Sequence, residues 1–170
     1  MAKNHEDIWR DRDPALPKGE GGGVKDPEEL FKAGLFLLKR GRVESALSAF
    51  KGALALKENE PRYMSYLGLC LAMTQGRARE GVALCEMAAK KEFYRSEMFL
   101  NLGRAYLYAG NRRKSHSAFR RGLSLDRENS DIKGELDRMG VRRPPVFPFL
   151  DRKSAVNKLA GKLLNKLRLR

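Results

Sequence analysis

From Leu30 onward, apolar side chains recur at steps of three and four. Leu30, Ala33, Gly34, Leu37 and Leu38 lead up to Gly41, and Val43, Ala46, Leu47, Phe50, Ala53, Leu54 and Leu56 follow it with the same period. That spacing lays them along one stripe of an α-helix, so the segment predicts helix, glycine turn, helix. Asp26-Pro27-Glu28-Glu29 marks the start: an N-cap, a proline at the first helical position, and two acids in the first turn, where the helix dipole favours negative charge. Residues 1–25 show no such period. With Pro14, Pro17 and Gly21-Gly22-Gly23 they read as a flexible arm whose apolar content does not offset its ordering entropy. Within it, Ile8 and Trp9 read either as weak contacts with the folded part or as a short docking motif.

The pattern then repeats. Glycines embedded in a first helix fall at Gly34, Gly68 and Gly103, spaced 34 and 35 apart, and turn glycines fall at Gly41, Gly76 and Gly110, spaced 35 and 34 apart. Three residues after each embedded glycine stands Leu37, Leu71 or Tyr106. Near the start of each second helix stands Ala46, Gly81 or Ser115. Self-similarity at this period predicts stacked helical hairpins, and three units are the minimum for a stable stack. The second unit carries one extra residue between its embedded glycine and its turn, which predicts local distortion there.

Over residues 27–129 the chain resembles the tetratricopeptide repeat family. Leu67-Gly68 with Leu71, and Leu102-Gly103 with Tyr106, occupy the family's Leu-Gly and tyrosine positions. Phe50-Ala53 and Phe119-Gly122 occupy its aromatic and small positions. The closing proline is found only at Pro61, while Lys91-Glu92-Phe93-Tyr94 and Asp126-Arg127-Glu128-Asn129 fill the other closures. The resemblance implies an all-α, right-handed solenoid of three helix-turn-helix repeats whose first helices line a groove for a partner segment. The slots it assigns to that groove are Phe31, Lys32, Leu35, Leu38 and Lys39, then Arg62, Tyr66, Leu69 and Met73, then Asn101, Arg104, Leu107 and Tyr108. These are apolar and aromatic with several cations and hardly an acid, so the expected ligand is an apolar protein segment bearing acidic groups. The protein's own tail is the competing occupant. Asn101 and Arg104 match part of the clamp some family members use for a terminal carboxylate, but the full set is absent.

Past the third unit, Ser130 is placed to cap a short helix through Met139, in which Ile132, Leu136 and Met139 share a face that would cover the end of the stack. Residues 26–140 therefore form the expected repeat domain. Residues 141–150 read as a proline-rich extended strap, and residues 151–170 as a basic amphipathic helix. There Val156, Leu159, Leu163 and Leu167 make one stripe, and Lys153, Lys158, Lys162, Lys166, Arg168 and Arg170 are available to anions. This last helix admits several readings: a cap on the stack, a contact with an anionic membrane surface, RNA binding such as at a ribosome, or docking to a partner helix.

Composition narrows the choice only partly. The chain has 170 residues, 42% hydrophobic and 33% charged, with 35 Lys+Arg against 21 Asp+Glu for a net charge of +14. That excess attracts acidic proteins, phosphate backbones or anionic lipid. The basic residues of the repeats look dispersed, and no nucleic-acid recognition motif is present. The excess also argues against a type III secretion chaperone, a class of similar size that tends to be acidic. Cys70 and Cys85 fall where small core residues are wanted, and His116 has no acid or nucleophile at helical spacing, so neither metal, cofactor nor catalytic site is expected. No phosphate loop, nucleophile elbow or His-Glu-x-x-His motif occurs, and the chain reads as a non-enzymatic adaptor or co-chaperone-like scaffold. With no secretory leader and no spanning apolar run, the expected location is the cytoplasm, with peripheral membrane attachment through the tail as a variant.

Overall fold

The computed structural model describes residues 26–140 and, beyond them, residues 147, 154–156, 159–160 and 163. Seven helices and no strand occur among the described residues. They are α1 Pro27–Lys39, α2 Val43–Leu56, α3 Pro61–Met73, α4 Ala78–Lys91, α5 Ser96–Tyr108, α6 Arg112–Leu125 and α7 Ser130–Met139. The architecture is an all-α solenoid of three hairpins, α1–α2, α3–α4 and α5–α6, followed by α7. Two compact units are distinguished, and their boundary falls after Leu136, inside α7. The arm, nearly all of the strap, and the tail cations Lys153, Lys158, Lys162, Lys166, Arg168 and Arg170 lie outside the described residues. Val156, Leu159 and Leu163 of the tail stripe are exposed.

The first hairpin starts as its sequence requires. The Asp26 carboxylate accepts from the Glu28 N–H at 2.9 Å, ahead of Pro27 at the first helical position. Its turn and that of the third hairpin close identically. Gly41 at φ +73° and Gly110 at φ +72° take the left-handed conformation. Their N–H groups donate to Leu38 (3.0 Å) and Leu107 (2.9 Å), and those of Arg42 and Asn111 donate to Leu37 (3.0 Å) and Tyr106 (2.8 Å), satisfying carbonyls the helix ends leave open.

The second hairpin differs without distortion of its helices. α3 and α4 are 13 and 14 residues long, like the flanking pairs, so the extra residue lies wholly in the loop Thr74–Arg77. There Thr74 turns extended, its hydroxyl donates to the Cys70 carbonyl at 3.0 Å, and the Arg77 N–H donates to the Thr74 carbonyl at 3.2 Å. α7 is also capped one residue earlier than expected: the Asn129 side chain accepts from the Ile132 N–H at 3.0 Å, and Ser130 is already helical.

Packing within each hairpin turns on its embedded glycine. A Cβ on Gly34 or Gly103 would run into the ring of Phe50 or Phe119, both fully buried. In the middle hairpin no aromatic ring is used. Gly68 faces Gly81 and Cys85, and a Cβ on Gly81 would strike the α3 backbone at Gly68 and Ala72. Between hairpins large side chains fill the space: Phe31 lies 4.8 Å from Tyr63, 5.4 Å from Tyr66 and 5.5 Å from Phe50, ring centre to ring centre. Fully burying each such ring contributes roughly 1.5–3 kcal/mol. At the end of the stack Ile132 of α7, fully buried, covers Gly122 of α6.

Candidate functional site

First helices of stacked hairpins line the inner face of a solenoid, so the candidate face belongs to α1, α3 and α5. Of the residues the sequence assigns to it, Lys32, Lys39 and Tyr108 are exposed, and Leu35, Leu38, Arg62, Tyr66, Met73, Arg104 and Leu107 are half-buried. The remaining three lie deeper. Phe31 is fully buried beneath the Arg62 guanidinium, which sits 4.7 Å from its ring centre, and Leu69 is buried as well. Asn101 is buried, and its amide donates to the Ser65 hydroxyl at 3.1 Å, tying α5 to α3.

The expectation that acids are nearly absent from this face is not met, for a local reason. Glu28 and Glu97 sit in the first turns of α1 and α5, in register with Arg62 of α3, and each reaches across to a neighbouring helix. Glu28 accepts from the Tyr63 hydroxyl at 3.0 Å and lies 3.6 Å from Arg62. Glu97 accepts from the Tyr66 hydroxyl at 2.7 Å. The third acid comes from outside the repeats: Glu135 of α7, 7% exposed, pairs with Arg104 at 2.7 Å. Two of the face's cations are therefore already neutralised, and Lys32 and Lys39 remain for a ligand. The repeat period carried the signal for two of these acids, since positions 28, 62 and 97 are spaced 34 and 35 apart, matching the embedded glycines. Nothing in that period points to Glu135.

Burial shapes the titration of this region. Desolvation pushes the Tyr63 hydroxyl up to about 12, helped by its bond to Glu28. Desolvation also raises Tyr66, with Glu97 reinforcing the shift and the Asn101 amide and Arg104 opposing it. Both phenols thus stay protonated donors at neutral pH, holding α1 to α3 and α3 to α5. Cys70 and Cys85 are buried free thiols; desolvation lifts Cys70 to about 12 and raises Cys85, whose thiol donates to the Ser65 carbonyl at 3.3 Å. A thiolate is the reactive form, so both serve as small core side chains. His116 is exposed on α6. Among the described residues no group of three or more His, Cys, Asp or Glu is placed to hold a metal ion, and no helix is long and apolar enough to cross a membrane. The face presents half-buried apolar side chains together with the exposed Tyr108, Lys32 and Lys39.

Known proteins bear on this arrangement through their fold. The model of the tetratricopeptide repeat family matches residues 31–94. No curated protein matches the chain by sequence. Among solved structures, the chain is similar to the first TPR of Spaghetti (RPAP3) bound to the HSP90 peptide SRMEEVD: 14% identity over 68% of this chain and 93% of that one, with a TM-score of 0.57. The Sgt2 TPR domain from Aspergillus fumigatus matches at 17% identity over 80% and 99%, TM-score 0.57. The Yersinia enterocolitica type III secretion translocator chaperone SycD matches at 18% identity over 66% and 84%, TM-score 0.53.

Proposed function

Taking this chain as the tetratricopeptide repeat protein it is, we propose that it is a non-enzymatic interaction module that holds a segment of a partner protein along the first-helix face of α1, α3 and α5. The observation that carries the reading is the state of that face. Leu35, Leu38, Tyr66, Met73 and Leu107 are only half-buried, and Lys32, Lys39 and Tyr108 are exposed around them. Apolar and aromatic area bordered by charged side chains is the make-up of an interface core with a polar rim. A solved relative in fold carries an acidic peptide, which supports a segment with carboxylates as the ligand class. Because Arg62 and Arg104 already serve Glu28 and Glu135, the ligand's carboxylates fall to Lys32 and Lys39, and its apolar side chains to the tyrosines. The N-terminal arm, repeat domain, strap and tail helix are the working division of the chain, with the cytoplasm as its compartment.

The test is affinity capture from nuclease-treated, detergent-solubilised lysate with the full chain, with Lys39→Glu/Tyr108→Ala, and with a variant ending at Leu150, read by mass spectrometry. A protein retained by the first and third and lost from the second is the expected result, because removing an aromatic anchor costs about 1–2 kcal/mol or more. Capture unaffected by the double substitution sinks the groove reading. Capture lost only with the tail supports a second reading, attachment of residues 151–170 to an acidic partner or anionic membrane surface, which the exposure of Val156, Leu159 and Leu163 favours.

A further inference from the structure

The excess positive charge of the repeat stack is not dispersed. Residues 26–140 carry 21 Lys+Arg and 15 Asp+Glu, an excess of six, and α6 alone carries five Lys+Arg with no Asp or Glu. Helix by helix, α6 is where the charge is concentrated, which linear reading along the chain obscures. Its Arg112, Arg113, Lys114, Arg120 and Arg121 are all exposed. Arg62, Arg77, Arg95 and Arg104 of the other helices and loops pair with acids, Arg77 with Glu80 at 2.8 Å and Arg95 with Glu92 at 3.3 Å. On α6 the Arg113, Arg120 and Arg121 guanidinium groups have no acidic partner among the described residues. Lys114 comes only to 4.0 Å from Glu86 of α4, whose carboxylate already accepts a short bond from the Tyr106 hydroxyl.

Two of these cations, Lys114 and Arg121, line a pocket of about 400 Å³, floored by Phe99, Leu102 and Tyr106 of α5 and completed by Ser117 and Ala118 of α6; Arg120 stands next to Arg121 in the chain. It sits on the α5–α6 hairpin, away from the α1–α3–α5 face. The chemistry of this cleft discriminates between polyanions. Single-stranded nucleic acid needs free aromatic faces on which bases stack, but Tyr106 is 8% exposed and the Lys114 ammonium lies over its ring at 5.3 Å. The half-buried Phe99 beside the unpaired Arg121 guanidinium instead suits a side chain of aliphatic or aromatic type flanked by carboxylates.

The chain itself contains such a segment. Residues 6–13 read Glu-Asp-Ile-Trp-Arg-Asp-Arg-Asp, with Ile8 and Trp9 between the pairs Glu6, Asp7 and Asp11, Asp13. We propose that the α5–α6 cleft is the docking site of this N-terminal motif, with Trp9 or Ile8 seated over Phe99 and Ala118 and the acids set against Lys114, Arg120 and Arg121. Twelve residues separate Asp13 from Asp26, enough to span about 40 Å. Helices in contact lie about 8–10 Å apart, so the tether reaches from α1 to α6. Tethering raises the motif's effective concentration to the order of millimolar, so modest complementarity suffices. The cleft shares no lining residue with the first-helix face, so docking here does not depend on a ligand there.

Trp9 is the sole tryptophan, so its fluorescence reads the contact in the full chain. Expected are blue-shifted emission and protection from acrylamide in the wild type, both lost in Arg120→Glu/Arg121→Glu, partly lost in Arg120→Gln/Arg121→Gln, and restored when Glu6→Arg/Asp7→Arg is added to the charge-reversed pair. Tyr108→Ala leaves them unchanged. Far-UV circular dichroism confirms that each variant is folded. Emission in the wild type at the position of the urea-unfolded chain overturns the proposal. So do a protected Trp9 indifferent to Arg120 and Arg121, and protection that grows with protein concentration, which would place the motif on a second copy.

Discussion

Among single residues, the small ones decide most. Gly34, Gly68 and Gly103 were legible from their period alone because close helix approach tolerates no Cβ, and that constraint is written at the position itself. Phe31, Leu69 and Asn101 show the limit of such reading: the repeat puts them on the first helices, but only packing reveals that they point inward. The buried thiols and phenols make a further property of single sites measurable. Cys70 and Tyr63 are both pushed up to about 12 by desolvation, against about 8.5 and 10 for the free groups. A proton held more tightly in the folded state means that the stability it contributes is complete below the free value and is lost as pH rises towards the folded one. Urea midpoints should therefore hold steady from pH 6 to 8 and fall above about pH 8.5. In Cys70→Ala/Cys85→Ala, less stable at neutral pH, the fall should begin only near the phenols' range, about pH 10. The same onset in both proteins would show that the thiols play no part.

At the scale of elements, six of the seven helices follow from apolar period, turn glycines and the Asp26-Pro27 start, and α7 was displaced by one residue at its cap. Asn129 wins that position over Ser130 because its longer side chain reaches the Ile132 N–H while its own backbone carbonyl accepts from Lys133. Less legible was how the middle hairpin takes up its extra residue, since the sequence does not say whether helix or loop will yield. The loop yields because α3 and α4 meet backbone to backbone through Gly68 and Gly81, a contact that fixes their register. This makes Gly81→Ala more damaging than Gly34→Ala, although alanine gains roughly 1 kcal/mol of helix propensity at either site. At Gly34 the obstacle is the Phe50 ring, which can tilt; at Gly81 it is α3 itself. Overpacking of this kind costs about 1–3 kcal/mol and occasionally more, so Gly81→Ala belongs at or above the top of that range and Gly34→Ala near its lower end. Urea denaturation of the two variants checks the order, and equal losses would show that the α3–α4 approach is adjustable.

At the scale of the molecule, stability and charge are both arranged by neighbourhood. Each hairpin touches only those beside it, so the stack behaves as a chain of coupled units rather than as one core. The charge map was invisible along the sequence because acids near α6 in order, such as Asp126 and Glu128, belong to the turn after it, and the acids that quench Arg62 and Arg104 arrive from other helices. Locality yields a last expectation. Phe50 sits at the centre of the aromatic cluster of the first hairpin, 5.5 Å from both Phe31 and Tyr66, and its replacement by alanine should cost about 3–5 kcal/mol there. In a single cooperative core that loss would be felt everywhere. In a linear stack it loosens α1 and α2 most, α3 less, and leaves α5 and α6 to open with their own free energy. Hydrogen exchange on Phe50→Ala should thus show protection lost in residues 27–56 and retained in residues 96–125. The first-helix face would lose its α1 wall while Trp9 keeps its blue-shifted emission, so one substitution separates the two surfaces. A uniform loss of protection across all three hairpins would mean that the units are too strongly coupled for either surface to be weakened alone.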